Sequence, residues 1–211
     1  MIQKIVAHTY VLISALSTKF SKKMATIEET SIGETKTLIG ILILSGCRRD
    51  NHLSSAEMWH QLAGTPLYQA AMSERRFCFL LRCLHFDDAA TRSKRKKTDR
   101  LASIRNFWDE FVSKCHIHYI PEDALTIDEQ LLAFHGRCLF WMYIPNKPAK
   151  YGIKLVMMCD VDTKYMLNAI PYLGKQSTTL QASKGLHQGH YFTKELTKPY
   201  FSSGRNITTD N

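Results

Sequence analysis

This sequence predicts an α+β chain, and three observations predict it. Apolar residues recur with helical spacing from the start to about residue 120. From Asp123 the period shortens to that of strands, with turn signals between the runs. Apolar residues are 45% and aromatics 10% of the 211 residues, spread along the length, so a core can form and a disordered chain is excluded. The expected division is a helical region, 1–122, and a strand-rich region, 123–211. No internal repeat is visible.

The elements follow in order. Lys4 precedes a mildly apolar stretch, Ile5 to Leu16, broken by His8, Thr9 and Ser14 and followed by no small-residue cleavage site. It reads as a helix of the domain rather than a signal peptide. Thr30 to Cys47 contains Leu38–Leu44, apolar all round, which predicts a buried helix. That run is the longest apolar one and falls far short of the ~20 residues a membrane-spanning helix needs, so no membrane partner is expected. Ser54 to Leu62 opens on a Ser cap with Glu57 in the first turn, and Gly64-Thr65-Pro66 stops it. Ser73 to Phe86 carries an apolar stripe of Phe77, Leu80, Leu81 and Leu84, with Arg75, Arg76 and Arg82 on other faces. Leu101 to Tyr119 puts Ile104, Phe107, Trp108, Phe111 and Val112 on one side.

Strands are expected at Leu125–Phe134, with a turn at His135-Gly136-Arg137, and at Gly152–Cys159, a buried run. Asp160–Lys164 reads as a turn and Tyr165–Tyr172 as the returning strand. Residues 174–190 read as a loop, Tyr191–Leu196 as a short helix ended by Pro199, and Arg205–Thr209 as a last strand. A strand ending on an acid normally feeds a further element that packs on the sheet, so the chain is expected to be a fragment.

Twenty-eight Lys and Arg against nineteen Asp and Glu give a net charge of +9. That excess favours polyanions, nucleic acid first and acidic membrane second. Six of the nine residues from Arg92 to Arg100 are basic, including Arg95, Lys96 and Lys97. They suit a solvated loop and equally a phosphate-contacting or nuclear-targeting one. A second basic stretch interleaves Arg137, Lys147, Lys150 and Lys154 with Phe134, Phe140, Trp141, Tyr143 and Tyr151. Such a mixture fits a DNA backbone or unstacked bases, or else core aromatics with solvated lysines. The six cysteines form no C-x-x-C pair and read as buried free thiols.

Thr126-Ile-Asp-Glu-Gln130 sets two acids in an apolar strand. Side chains alternate, so Asp128 and Glu129 are not expected to line one site. A lone strand acid is usually a sheet-end residue. Asp210 also ends a strand, however, and strand-borne acids distant in sequence can meet on adjacent strands. Such a pair offers hard oxygen ligands for Mg²⁺ or Mn²⁺, as two-metal phosphoryl transfer requires. Asp160 and Asp162 are the competing pair, expected to be exposed in their turn.

Leu125-Thr-Ile-Asp-Glu-Gln-Leu-Leu, Phe134-His-Gly-Arg-Cys, Tyr143-Ile-Pro-Asn-Lys-Pro-Ala-Lys-Tyr-Gly-Ile-Lys, Cys159-Asp, Tyr172-Leu-Gly and Arg205-Asn-Ile-Thr-Thr-Asp-Asn together resemble the piggyBac family of DNA transposases. Gly40-Ile-Leu-Ile-Leu, Arg49-Asp-Asn-His and Leu81-Arg-Cys-Leu-His-Phe-Asp-Asp extend the resemblance through the helical half. The resemblance implies a cut-and-paste transposase acting at TTAA, with an RNase H-like core, three catalytic aspartates and divalent metal. Asp128 falls on the first aspartate and Asp210 on the second; the third lies beyond residue 211. Residues 1–122 would be a dimerisation and DNA-binding region and 123–211 the first part of the catalytic core. The implied location is nuclear and the implied partners are DNA and a second copy of the chain. With two of three carboxylates, the chain alone is expected neither to nick nor to join DNA. The alternatives are a non-catalytic DNA-binding or interaction module derived from a transposable element, and a basic protein binding RNA or an acidic partner.

Overall fold

A computed structural model describes residues 1–18, 27–134, 136–174 and 188–209. The chain divides into two compact units, Met1–Ala90 and Thr91–Asn211.

Serine caps start three of the five helices described in the first unit. Its helices are α1 (Ile2–Ser17), α2 (Ile32–Arg48), α3 (Ser55–Met58), α4 (Pro66–Ala71) and α5 (Glu74–Cys83). Ser31 and Ser73 accept the Glu34 and Arg76 amides, and Ser54 forms a full capping box with Glu57. Each such cap is worth about 1 kcal/mol. Ile13, Leu38, Ile41, Met58, Tyr68, Phe77, Leu80 and Cys83 form the core. Burying each large apolar side chain contributes roughly 1.5–3 kcal/mol, more than a typical surface ion pair. Trp59 packs on Tyr68 and Phe77 with centroids 5.3 and 4.6 Å away, and its indole N–H donates to the Met72 carbonyl.

Several expectations need correction here. The α2 run is not buried all round: Ile43 is 63% exposed, because Leu38 and Ile41 already fill the contact with the core. The third helix ends at Met58, not Leu62, and Pro66 starts α4 rather than merely stopping its predecessor. Pro suits a first turn, where its missing N–H costs nothing. On α5, Leu81 is outside the buried stripe, and Arg76 is inside it. The Arg76 guanidinium clamps Glu34 bidentately at 2.6 and 2.7 Å and donates to the Glu28 and Glu29 carbonyls. Burial opposes ionisation of Glu34, but the bonds from Arg76 and Thr30 outweigh it and hold the carboxyl below its ordinary range. Of the thiols, Cys83 and Cys115 are buried, whereas Cys47 is exposed.

The second unit comprises most of α6 (Ala89–Arg95), then α7 (Arg105–Ile117), β1 (Ala124–Ala133), β2 (Met142–Tyr143), β3 (Tyr151–Asp160), β4 (Met166–Pro171), α8 (Gln188–Thr197) and β5 (Asn206–Thr209). The unit therefore begins upstream of the period change near residue 123. α7 belongs with the sheet, since Tyr165 from the β3–β4 connection donates to the Cys115 carbonyl and stacks on Tyr119 at 4.3 Å. α7 is amphipathic as expected, but Phe111 stays 36% exposed and Cys115 is its buried residue.

The sheet is mixed. β3 pairs antiparallel with β1, and with β2 and β4 on its other side; β5 lies parallel to β1 at the edge. A parallel partner needs a crossover, and α8 lies in that connection, with Asn168 of β4 donating to the Leu196 carbonyl. Leu125, Ile127, Val156, Met158, Leu167, Phe192 and Leu196 form the core between sheet and α8. Gly152 is required where it is: a Cβ there would sit 2.0 Å from the Leu132 carbonyl oxygen.

Among the described residues no helix is long and apolar enough to cross a membrane.

Candidate functional site

β1 carries the site because its two faces differ. Leu125, Ile127 and Leu131 are buried, while Asp128 and Gln130 are exposed. β5 pairs with β1 from Ala124↔Asn206 to Ile127↔Thr209. Asp128 is the next β1 residue, and there a cleft of about 140 Å³ opens, bordered by Asp128, Glu129, Lys154, Gly189, Thr193 and Thr209 among others. Asp128 and Glu129 thus both border one cleft, contrary to the alternation argument. The cleft takes in the Ile127 and Glu129 side of β1 together with Lys154, Val156, Phe192 and Thr193, and Asp128 borders it as well.

The two neighbours have different electrostatics. Asp128 accepts its neighbour's amide, Glu129 N–H, at 2.6 Å and is otherwise turned to solvent. Glu129 lies 3.6 Å from the Lys147 ammonium and 3.8 Å from that of Lys154. Lys147 also donates to the Glu129 carbonyl. Burial, and secondarily the Asp128 carboxylate, pushes the Cys159 thiol above its ordinary range. This is consistent with the register, in which Asp128 faces Met157, two residues from Cys159.

Asp160 is not exposed as its turn position suggested. It is completely buried and accepts the amides of Glu122, Asp162 and Thr163 and the Thr163 hydroxyl, at 2.8–3.1 Å. These donors, the Thr163 amide foremost and then that of Glu122, bring its carboxyl down to about 2. Its lone pairs are committed to the turn, which removes it as a free metal ligand.

The basic residues divide likewise. The stretch expected as a loop is helical up to Arg95, whose Nη1 donates to the Ala102 carbonyl at 2.5 Å and whose Nε donates to Thr91. Lys94, Lys96 and Lys97 are exposed, as are Arg137 and Lys150. Lys147 and Lys154 are half-buried against Glu129. Asp210 and His135 lie outside the described residues. Among those described, no group of three or more His, Cys, Asp or Glu could hold a metal ion. Asp128 offers the hard carboxylate oxygens that Mg²⁺ prefers, and Mg²⁺ commonly takes only one or two carboxylates and keeps several waters. Gly189, Thr193 and Thr209 carry no titratable group, so no sequence signal marks them as part of the cleft. For the Glu129 clamp a signal existed in hindsight: an acid in one strand and a lysine, Lys154, in the next form a cross-strand pairing pattern.

Residues 2–211 match the family described as Transposase IS4. A solved piggyBac transposase, described as a synaptic complex with hairpin DNA, is 45% identical, with a TM-score of 0.91 over 100% of this chain. The chain spans 43% of the length of that protein. With a family match over nearly its whole length and this level of identity, the chain belongs to the piggyBac-type transposases.

Proposed function

We propose that this chain contributes the first part of an RNase H-like catalytic core to metal-dependent DNA strand cleavage and transfer at TTAA, and binds DNA through its exposed lysines. The observation that carries the reading is the parallel pairing of β5 with β1. Thr209 is registered with Ile127, and Asp210 and Asp128 are the residues that follow them in sequence. That register supports Asp128 and Asp210 as joint ligands of Mg²⁺ or Mn²⁺ beside the cleft. A divalent ion held there would supply charge neutralisation at a phosphate and activation of the attacking oxygen. Glu129 would keep Lys147 and Lys154 in place at the margin, while Lys96, Lys97, Arg137 and Lys150 take phosphates. Arg95 acts through its hold on the Ala102 carbonyl, which orders the basic segment. The helical region 1–122 would supply dimerisation and DNA binding, and the exposed Val11, Ile43 and Leu62 support that role. A nuclear location follows from the DNA substrate.

Residues 1–211 by themselves are expected to bind duplex DNA without cutting it, because Asp128 and Asp210 are two of the three carboxylates that the resemblance implies. The test is a binding titration of the chain against a TTAA-containing duplex at rising salt, with Mg²⁺ present and strand integrity read on a denaturing gel. The expected result is affinity that falls steeply with salt, and intact strands. Replacing Lys96 and Lys97 by Ala should lower the log–log salt slope by about 2, near one per lost phosphate contact. A Mg²⁺-dependent nick lost in Asp128→Ala would show the chain to be an enzyme on its own. Binding without salt dependence would refute the DNA reading and favour an interaction module.

A further inference from the structure

Three exposed aromatic rings form a row on the β2–β3 ribbon. Tyr151 lies between Trp141, stacked at 5.0 Å and 25°, and Tyr143, tilted at 4.8 Å and 39°. The three are 44% (Trp141), 50% (Tyr143) and 43% (Tyr151) exposed. Cross-strand aromatic pairing explains part of this, since Tyr143 is registered with Tyr151 and such pairs steady a short edge strand. It does not explain Trp141, which precedes β2 and has no register partner in it. Trp141 also borders an open hollow of about 580 Å³ with Gly136, Arg137, Cys138 and Leu139. An exposed guanidinium and an indole therefore share one concavity. The surrounding chain is uniformly cationic: between Glu129 and Asp160 no residue is acidic, while Arg137, Lys147, Lys150 and Lys154 are basic.

We propose that the Trp141–Tyr151–Tyr143 row is a stacking platform for an unpaired base of single-stranded DNA, with Arg137 on the adjoining phosphate. Bases stack on exposed aromatic faces whatever their sequence, and a neighbouring cation tracks the backbone. A duplex keeps its bases stacked on one another and gains nothing from the platform, so the row favours single strands over duplex. The inference rests on the DNA-binding reading above.

The test uses the full 211-residue chain and two fluorescein-labelled probes, a 12-nucleotide oligo-dT and a 12-base-pair duplex, with affinities read by anisotropy at fixed salt. Trp141→Leu keeps apolar cover on Tyr151 but removes the indole face. It should weaken oligo-dT binding roughly 5- to 140-fold, the range for one lost base stack, and leave duplex affinity within about twofold. Trp141→Phe keeps an aromatic face and should retain most of the oligo-dT affinity. Retention in Phe with loss in Leu excludes a folding defect as the cause. Unchanged oligo-dT binding in Trp141→Leu would overturn the platform while leaving the DNA reading intact. An equal loss on both probes would also overturn it, since stacking cannot act on the duplex. Failure of the unaltered chain to bind either probe would overturn the DNA reading itself, and the platform with it.

Discussion

The β1–β3 ladder contains two aspartates that the fold treats in opposite ways. At its closed end, Leu125 pairs with Asp160, a buried carboxylate that accepts three hydrogen bonds from the turn joining β3 to β4 and one from the Glu122 amide ahead of β1. Three residues along β1, Asp128 stands exposed at the mouth of a cleft and takes one local amide bond. Both are acids in strand context, and neither residue type nor burial tendency separates them in the sequence. The number of donors the backbone aims at each oxygen does. A carboxylate saturated by amides is structural; one facing solvent beside lysines is available for a cation or for chemistry.

The largest effect should come from breaking the closed end. Asp160→Ala removes an acceptor from three amides and a hydroxyl, leaving buried donors unsatisfied. It should lower the melting temperature, followed by circular dichroism, further than any change below. Asp160→Asn should fall between, because one oxygen can keep the Asp162 and Thr163 bonds while the amide nitrogen opposes the Glu122 N–H. The same residue sets an acid limit. Its folded pKa of about 2 lies below the unfolded value near 3.9. The stability it supplies is fully present above about pH 4 and is lost as pH falls through 2. Asp160→Asn should flatten that part of the stability–pH profile, and an unchanged profile would contradict the assignment.

A smaller loss is expected at the far end of the same ladder. Gly152→Ala drives a methyl into the Leu132 carbonyl and should cost about 1–3 kcal/mol, or roughly 3–10 °C in melting temperature. Glu129→Gln should cost only about 0.5 kcal/mol, because its ion pairs are long and partly solvated. It should nevertheless tighten duplex binding by about two- to threefold, as Lys147 and Lys154 lose their counter-charge; weaker binding would mean the clamp positions the lysines. Smallest of all, Asp128→Asn should move the melting temperature by no more than about 1–2 °C, as for other exposed substitutions. A large shift would erase the contrast with Asp160.

Much of this was legible in order along the chain. The caps at Ser54 and Ser73 and the strands around Asp128, Met157 and Ile170 stand where local chemistry put them. Apolar runs were less informative about burial. Leu38–Leu44 looked uniformly interior, yet Ile43 is exposed, because a run of identical chemistry does not say which side meets a neighbour. Arg76 misled in the other direction: only the arrival of Glu34 and two carbonyls at its head group makes a buried guanidinium affordable. The cationic stretches were plain, but not that Arg95 turns inward while Lys96 and Lys97 stay out.

By itself, then, the sequence determined the succession of elements, the excess of positive charge and the acids that strands would carry, since these depend on local propensity, periodicity and composition. Only the tertiary structure decided that Asp160 is spent on a turn, that Asp128 and Glu129 share the margin of one cleft, and that Trp141 meets Arg137 across a hollow. Each of those outcomes depends on which distant donors, strands or rings arrive at a given side chain, and no short-range pattern in the chain encodes that arrival.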